Sequence, residues 1–343
     1  MPAESLRRLC SGIFQAAGAP KDIASTVAES LVTTNLFGHD SHGVLRVKQY
    51  VGMIKDNMIK PGARPRLKRR FGATAMVTGE YGFGQIGARF TATLASELAQ
   101  QHGIGAVALG QNTHIGRLGE YTAMIAAQGL IGICFTSGTM FRGWVTPYGG
   151  RERVFGTNPM SFAVPCQDSG LLLLDFATAG VAHGKIVLAR AKGTHLPTGM
   201  MLDKQGRPTT DAAVLDEGAV LLPMGAHKGS GLALMMEIIP TLLAGHRPIA
   251  SDQFHFGNPT LMVALDPRAF DQDTDFQGQV SALAKRVKKV KPAGGFAEVL
   301  LPGEPELRSY RHRAENGIPL PDAVWDDLRR MALDLGLPLR EKD

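Results

Sequence analysis

The stretch Asp40-Ser41-His42-Gly43-Val44-Leu45-Arg46 brings together an imidazole, an adjacent hydroxyl and, four positions after the imidazole, a guanidinium. A helix opening near Ser41 would place His42 and Arg46 at i,i+4 on one face, with Tyr50 continuing the stripe. The histidine can give or take a proton near neutral pH, and the guanidinium fork can hold a carboxylate through two parallel hydrogen bonds. Reduction of a 2-oxo acid needs that pairing: one group anchors the carboxylate and another supplies the proton that follows hydride. The plainer alternative is a capped helix with a polar face.

Four further constellations sit where loops feed helices or strands. Asn112-Thr113-His114-Ile115-Gly116-Arg117-Leu118 sets a histidine and an arginine before a helix start, a ready anion site. Gly156-Thr157-Asn158-Pro159 is a compact turn with two polar side chains. Asp175-Phe176-Ala177-Thr178-Ala179 follows an apolar run, with His183 and Lys185 one turn on, either as cofactor contacts or as a polar helix start. In the stretch from Pro223 to Gly231, His227 and Lys228 open a long apolar helix. A lysine there opposes the helix dipole, which a nearby anion would explain.

Histidines 39, 42, 114 and 227 also allow a metal-dependent hydrolase as a second class. No carboxylate-rich cluster or zincin spacing accompanies them, so no metal is expected. No role is assigned to His39 or His255.

The elements that must position these residues begin helical. Leu6, Leu9, Ile13 and Phe14, then Ile23, Val27, Leu31 and Leu36, recur at three- and four-residue spacing, interrupted from Gly18 to Pro20. After Pro61 the character changes to α/β alternation. Strand-like 74–78, 104–109 and 130–135 are separated by helical 86–101, with 118–128 helical between the last two strands. Strand and loop follow to the buried-looking Leu171–Leu174, then a glycine- and proline-punctuated excursion from Gly193 to Pro223. An apolar helix spans roughly Gly229–Leu243, and the tail from Glu304 is again amphipathic helix. The helical ends are expected to pack together, with the sheet inserted between them.

Gly82-Phe83-Gly84-Gln85-Ile86-Gly87 fits the dinucleotide fingerprint GxGxxG. However, the following strand ends in Gly110-Gln111-Asn112, without the ribose-binding acid, and the turn before Gly82 is too long for a phosphate loop. The motif reads as a decoy.

With 343 residues, 44% hydrophobic and 20% charged, the chain is an ordinary globular protein with room for a large core or two domains. The net charge of +6 rests partly on basic runs at 64–70 and 285–291, which lack interleaved aromatics and read as solvated faces, not nucleic-acid platforms. Cys10, Cys134 and Cys166 show no CxxC spacing. With no signal-like N-terminus and no membrane-spanning run, a cytoplasmic protein is expected.

Taken in order, Asp40-Ser-His-Gly43, His114-Ile-Gly-Arg-Leu118, Gly-Thr-Asn-Pro159 and His227-Lys228-Gly229 resemble the malate/L-lactate/ureidoglycolate dehydrogenase family over nearly the whole chain. The stretch at His114 is most similar to the hydroxycarboxylate dehydrogenase B type, reductases of aromatic and small 2-oxo acids.

The resemblance implies an α/β fold of the L-sulfolactate dehydrogenase kind: a mixed-sheet, non-Rossmann cofactor domain (71–303) flanked by a helical domain from both termini (1–70 plus 304–343). It implies a homodimer with shared active sites, NAD or NADP as cofactor, and a small-molecule carboxylate substrate. By matching motif, His42 is the proton donor/acceptor with Ser41 as its partner, and Arg46 takes the carboxylate. His114 lies near substrate or nicotinamide, and some members give it the acid/base role instead. Ile115, Gly116, Arg117, Leu118, Asp175, Ala177, Thr178, Ala179, His227, Lys228, Gly303, Glu304 and Pro305 match cofactor-contacting stretches. Members often carry Asn-Ser where this chain reads Ser137-Gly138, the serine touching the cofactor. The neighbouring 139–143 is expected to shape substrate choice. Within the family, 2-oxo acids and cyclic imino acids both remain open as substrates.

Overall fold

The computed structural model describes residues 1–337 apart from 139–142, 182–185, 187–188, 190–192, 250, 252 and 254–255. His183, Lys185, His255 and most of the 139–143 stretch therefore lie outside the described residues.

Two helices open the chain, α1 (Ala3–Ala16) and α2 (Lys21–Leu36), each preceded by a proline whose fixed φ suits a helix entrance. Their apolar stripes share one core with α3 (Arg46–Lys55) and with Ile318, Leu328 and Ala332 from the C-terminal end. The last two helices are α8 (Glu304–Asn316) and α9 (Asp322–Asp334), numbered after the helices between them. Met1 and Ile318 exchange two hydrogen bonds, N–H to carbonyl in each direction, at 3.0 and 2.8 Å. The two ends thus build one helical unit, as expected.

Between them lies a seven-stranded sheet in the order β1-β2-β3-β10-β4-β5-β6. The strands are β1 (Arg66–Phe71), β2 (Thr74–Thr78), β3 (Ile104–Gly110), β4 (Ile131–Thr136), β5 (Pro159–Cys166), β6 (Gly170–Ala177) and β10 (Thr260–Leu265). Only β2 and β3 run parallel, joined by the crossover helix α4 (Gly84–His102); every other neighbouring pair is antiparallel. A doubly wound dinucleotide fold needs a run of parallel strands, so this mixed sheet excludes it.

Side-chain alternation divides the cover. Val107, Leu109, Met262 and Ala264 pack under α4 and α5 (Gly119–Ala126), while Ala108 and Leu261 face the other side, where α6 (His227–Leu243) lies. A small sheet of β7 (Met201–Leu202), β8 (Pro208–Thr209) and β9 (Val220–Leu221) organises part of the 193–223 excursion. Among the described residues no helix is long and apolar enough to cross a membrane.

Three expectations change. The basic run at 64–70 is solvated, but most of it is the edge strand β1, where charge discourages pairing with another sheet. Leu171–Leu174 is the opposite edge, and of the four only Leu173 is buried; Leu174 is 43% exposed. In the second basic run, Lys288 ends α7 (Phe276–Lys288) and is committed to Glu298 and Glu304 at 3.0 and 2.8 Å.

Candidate active site

The single helix expected from Ser41 does not form. Asp40–His42 is a 3-10 turn, Gly43 is extended (φ −88°, ψ −150°), and α3 starts only at Arg46. The glycine at the break has a steric cause. The Asn35 carboxamide fills the space beside Gly43, where a Cβ would stand 2.1 Å from Oδ1, and that Oδ1 accepts the Val44 N–H at 2.8 Å. His42 and Arg46 are therefore brought together by a folded-back turn, not by helical spacing. Arg46 Nε donates to the Ser41 carbonyl at 2.8 Å and Nη1 to Gln49 Oε1 at 2.7 Å, while Ser41 Oγ meets His42 Nδ1 at 2.9 Å.

Tyr50 does follow Arg46 on α3, and its role goes beyond a polar stripe. Its hydroxyl lies 2.7 Å from His114 Nδ1 and accepts from Gln85 Nε2 at 2.9 Å. With Gln85 donating, the tyrosine proton points to Nδ1, which leaves the ring proton of His114 on Nε2. The His42 and His114 rings stack at 5.5 Å between centroids, 20° apart. Ser41, His42, Arg46 and His114 thus form one cluster. Gln49 and Gln85 complete it and had been missed; Gln85 was hidden inside the decoy glycine motif.

Those glycines have a different use. A Cβ on Gly84 would lie 2.1 Å from the His114 carbonyl, and one on Gly87 would lie 2.3 Å from Asn112 Oδ1. The motif lets the His114 loop lie directly on the start of α4. Asn258 holds the loop from its other side: its N–H donates to the Asn112 carbonyl at 3.0 Å and its Oδ1 accepts from Ile115 N–H at 3.2 Å.

Burial, then the positive charges of Arg46 and His42, hold His114 well below the usual histidine range. Burial pushes Tyr50 up to about 12, against the opposing pull of Arg46 and the Gln85 hydrogen bond. Arg46, itself pulled down by burial, has no ion-pair partner among the described residues, so the cluster carries an uncompensated cation.

A second group converges at the end of β6. The Gly119 N–H donates to Asp175 Oδ2 at 2.7 Å, bringing the Ile115–Leu118 segment to this strand. Arg117 is buried beside Asp175, with its guanidinium 4.5 Å from the Phe37 ring centroid. Burial raises the Asp175 carboxyl while Arg117 and the Gly119 N–H oppose that rise. Ala177, Thr178 and Ala179 meet the α6 entrance through the Ala179–Pro223 bridge and a 2.9 Å bond from Met224 N–H to the Thr178 carbonyl.

His227 and Lys228 stand exposed at that entrance. Gly229 is obligatory behind them, since a Cβ would lie 1.8 Å from the Met224 carbonyl. Gly303 (φ +90°) borders Leu173, whose N–H donates to the Pro302 carbonyl at 3.3 Å, and Pro305 lies in the first turn of α8. The Glu304 carboxylate is already taken by Lys288 and the Leu301 N–H at 2.8 and 2.9 Å. At Ser137-Gly138, the serine hydroxyl is buried against Thr241. Gly138 (φ +94°) has no room for a side chain, because a Cβ would lie 2.2 Å from the Gly257 carbonyl. A serine in that second position is sterically excluded here.

The four histidines of the hydrolase alternative do not converge: His39 approaches Glu306, and His227 lies by Tyr148 at the α6 entrance. Among the described residues no three His, Cys, Asp or Glu side chains are placed to hold a metal ion.

Comparison with known proteins agrees with this architecture. A family model described as malate/L-lactate dehydrogenase matches residues 1–329. Hydroxycarboxylate dehydrogenase B of Escherichia coli O157:H7 is 34% identical, over 98% of this chain and 94% of that protein. The solved sulfolactate dehydrogenase from Methanocaldococcus jannaschii superposes with a TM-score of 0.88 at 32% identity, covering 98% of this chain and 97% of that one. The Δ1-piperideine-2-carboxylate reductase from Pseudomonas syringae pv. tomato does so with a TM-score of 0.85 at 26% identity, covering 97% and 99%. With the family match, the identities and the overall superposition in agreement, the chain belongs to the malate/L-lactate dehydrogenase family and is a 2-hydroxy acid dehydrogenase.

Proposed function

We propose that the protein interconverts a small or aromatic 2-oxo acid and its 2-hydroxy acid, using NADH or NADPH, in the cytoplasm. The observation that carries this reading is Arg46: a half-buried guanidinium without an acidic partner among the described residues, beside two stacked histidines. A buried cation calls for an anion, and a substrate carboxylate supplies one in the bidentate geometry that a guanidinium favours.

The residues at the β6 end fit a dinucleotide. The α6 entrance, a helix start without a side-chain cap and with Lys228 exposed beside it, suits phosphate oxygens. The backbone of 177–179 and 303–305, together with Ile115–Leu118 and Asp175, would line the rest. When bound, the nicotinamide supplies hydride to C2 or accepts it from there.

Arg46 fixes the carboxylate and so the face that C2 presents. His114, kept neutral, offers its Nε2 proton as a hydrogen bond to the C2 oxygen. Two imidazolium rings at this separation beside Arg46 would repel, so the pair holds at most one ionising proton. That proton is assigned to His42, steadied by Ser41, which delivers it as the oxygen becomes an alkoxide.

A homodimer is part of the proposal. Leu234, Met235, Ile238, Leu242 and Leu243 of α6 are between 38% and 56% exposed, a continuous apolar face on the helix that opens at the cofactor stretches. A second copy seated there would bury it and border both sites. The division into a helical unit from both ends and an inserted sheet unit is retained as a proposal, with the first boundary moved from 70/71 to 65/66 so that β1 stays with the sheet.

Reduction of a cyclic imino acid is the second reading, favoured by the likeness to the piperideine-2-carboxylate reductase; the carboxylate anchor would be the same. The deciding experiment follows NADH and NADPH absorbance with pyruvate, oxaloacetate, phenylpyruvate, hydroxyphenylpyruvate and a cyclic imine. Turnover of a 2-oxo acid is expected. Imine turnover alone selects the second reading, and failure to bind either dinucleotide overturns both.

A further inference from the structure

We infer that α8 is a clamp that positions the Ser41–His42 turn, with Arg313 and Asp40 as its principal pair. The inference rests on the proposed role of His42. Glu306, Ser309, Tyr310 and Arg313 occupy one face of α8 at i, i+3, i+4 and i+7, and each meets the chain between 35 and 40. Glu306 Oε1 lies 3.6 Å from His39 Nε2. Ser309 Oγ donates to the Leu36 carbonyl at 3.0 Å, and the Tyr310 and Phe37 rings meet at 4.9 Å.

Arg313 makes the largest commitment. Nη1 donates to Asp40 Oδ1 and to the Asn35 carbonyl, both at 2.6 Å, and Nη2 donates to Asp40 Oδ2 at 3.1 Å. Asn35 closes the circuit, donating from Nδ2 to Asp40 Oδ1 at 2.6 Å while its Oδ1 takes the Val44 N–H. Asp40 and Val44 flank the turn, so both of its ends are tied to one guanidinium through two side chains.

This arrangement does more than join a helix to a core. Between Leu36 and Arg46 the chain has no α-helix or strand, only the 3-10 turn and local backbone turn bonds, so the side-chain ties are what join its path to the rest of the fold. Gly38 (φ +86°) has room for a Cβ only 2.9 Å from Ser309 Oγ, so the fit on α8 is close. The Arg313–Asp40 pair is bidentate and charge-assisted, with the arginine side chain 15% exposed, the geometry in which such pairs hold an orientation. The same 13-residue helix begins at Glu304, next to Gly303, which lies against Leu173 in the middle of β6. One rigid element of about 20 Å therefore spans the 303–305 stretch and the His42 turn. A dinucleotide held at 303–305 would bias the turn through α8. Arg313 and Asp40 are positioning residues: their side chains bond each other and Asn35.

The test compares Arg313→Met, Arg313→Lys, Asp40→Asn, the Arg313→Met/Asp40→Asn double variant and His42→Ala in the full-length protein. It reads kcat and KM with the best substrate of the panel, NAD(P)H affinity by fluorescence, and the histidine side-chain 1H–15N spectrum, with His42 assigned through His42→Ala. Arg313→Met and Asp40→Asn should each lower kcat about ten-fold and leave dinucleotide Kd within about two-fold. The double variant should be no worse than the poorer single, the signature of one shared interaction. Arg313→Lys should recover part of the loss. The His42 resonances should shift or double in Arg313→Met without any substrate present.

Unchanged His42 resonances together with kcat within two-fold of wild type in both single variants would overturn the clamp. If Arg313→Met does not fold, Asp40→Asn alone decides by the same readouts. Wild-type turnover by His42→Ala would instead strike the role of His42, while an inactive His42→Ala beside a fully active Asp40→Asn would remove only the clamp.

Discussion

The two halves of the site are built from different materials. On the proposed substrate side, Ser41, His42, Tyr50, Gln85 and His114 meet through their side chains, Arg46 is tied to the Ser41 carbonyl, and burial shifts the ionisation of Arg46, Tyr50 and His114. On the proposed cofactor side, 177–179 meets 223–224 through backbone pairing, Gly303 lies against Leu173 in β6, Gly229 allows a close approach to the Met224 carbonyl, and His227 and Lys228 stand in solvent. The first arrangement suits chemistry that needs protons and charge placed to within a fraction of an ångström. The second suits a long, flexible ligand held by many modest contacts, none of which dominates.

That contrast predicts unequal sensitivity to mutation. The largest effect belongs to the histidine pair. His42→Ala should lower kcat by about 10²–10⁴ with dinucleotide affinity preserved, the range expected for losing a general acid. Near-wild-type turnover would transfer the role to His114, and His114→Gln measured alongside would report it. Next comes Arg46→Lys. A point charge cannot reproduce the two-pronged grip, so kcat/KM for the acid should fall about 10- to 100-fold while NAD(P)H Kd stays nearly constant. Equal losses for acid and dinucleotide would make Arg46 a structural residue and dissolve the distinction between the two halves.

The same contrast explains what the sequence disclosed. Side chains with chemical character advertise themselves by type, so Ser41, His42 and Arg46 were legible as a candidate group from the residues, and His114 was placed with them by the family resemblance. Their geometry was not. The helix expected across 41–50 breaks at Gly43, whose Cα lies directly against the carboxamide of Asn35, eight residues earlier. No periodicity argument sees that contact. Gln85 carried no signal within a glycine motif that seemed to describe something else and whose Gly84 and Gly87 serve close packing.

The α/β alternation and the union of the two helical ends followed from apolar spacing. The central place of β10 did not, since it joins residues 260–265 to strands more than a hundred residues earlier. The cofactor side was legible only through family resemblance, because backbone N–H groups and turns have no residue-type signature.

A milder effect should come from Lys228. It is exposed, so Lys228→Ala should weaken NAD(P)H binding only about three- to ten-fold and leave kcat at saturation nearly unchanged. The loss should shrink further at 0.5 M salt, because an exposed charge is screened. A kcat defect of the size seen for His42→Ala would place Lys228 in the chemistry and break the comparison from the other side.

The smallest expected effect is a stability difference, and it tests whether the substrate side is dry enough to suppress ionisation. His114 is held well below the ordinary histidine range of about 6.5, so near pH 6 the unfolded chain takes up a proton there that the folded chain refuses. Protons bound preferentially by the unfolded state destabilise the fold as pH falls, at up to about 1.4 kcal/mol per pH unit for this one group. The loss begins below pH 6.5 and ends once pH passes the depressed folded value. Asp175 and Glu237, whose carboxyls burial raises, act oppositely, because the folded state keeps their protons longer than the unfolded one. The His114 contribution therefore has to be read as a difference. Urea unfolding of wild type and His114→Gln at pH 7 and pH 5 supplies it, since both proteins share the carboxyls. Wild type should lose more stability than the variant on going to pH 5. Equal losses would mean that His114 titrates normally and that the pair is open to water, which would remove the ground for confining the ionising proton to His42.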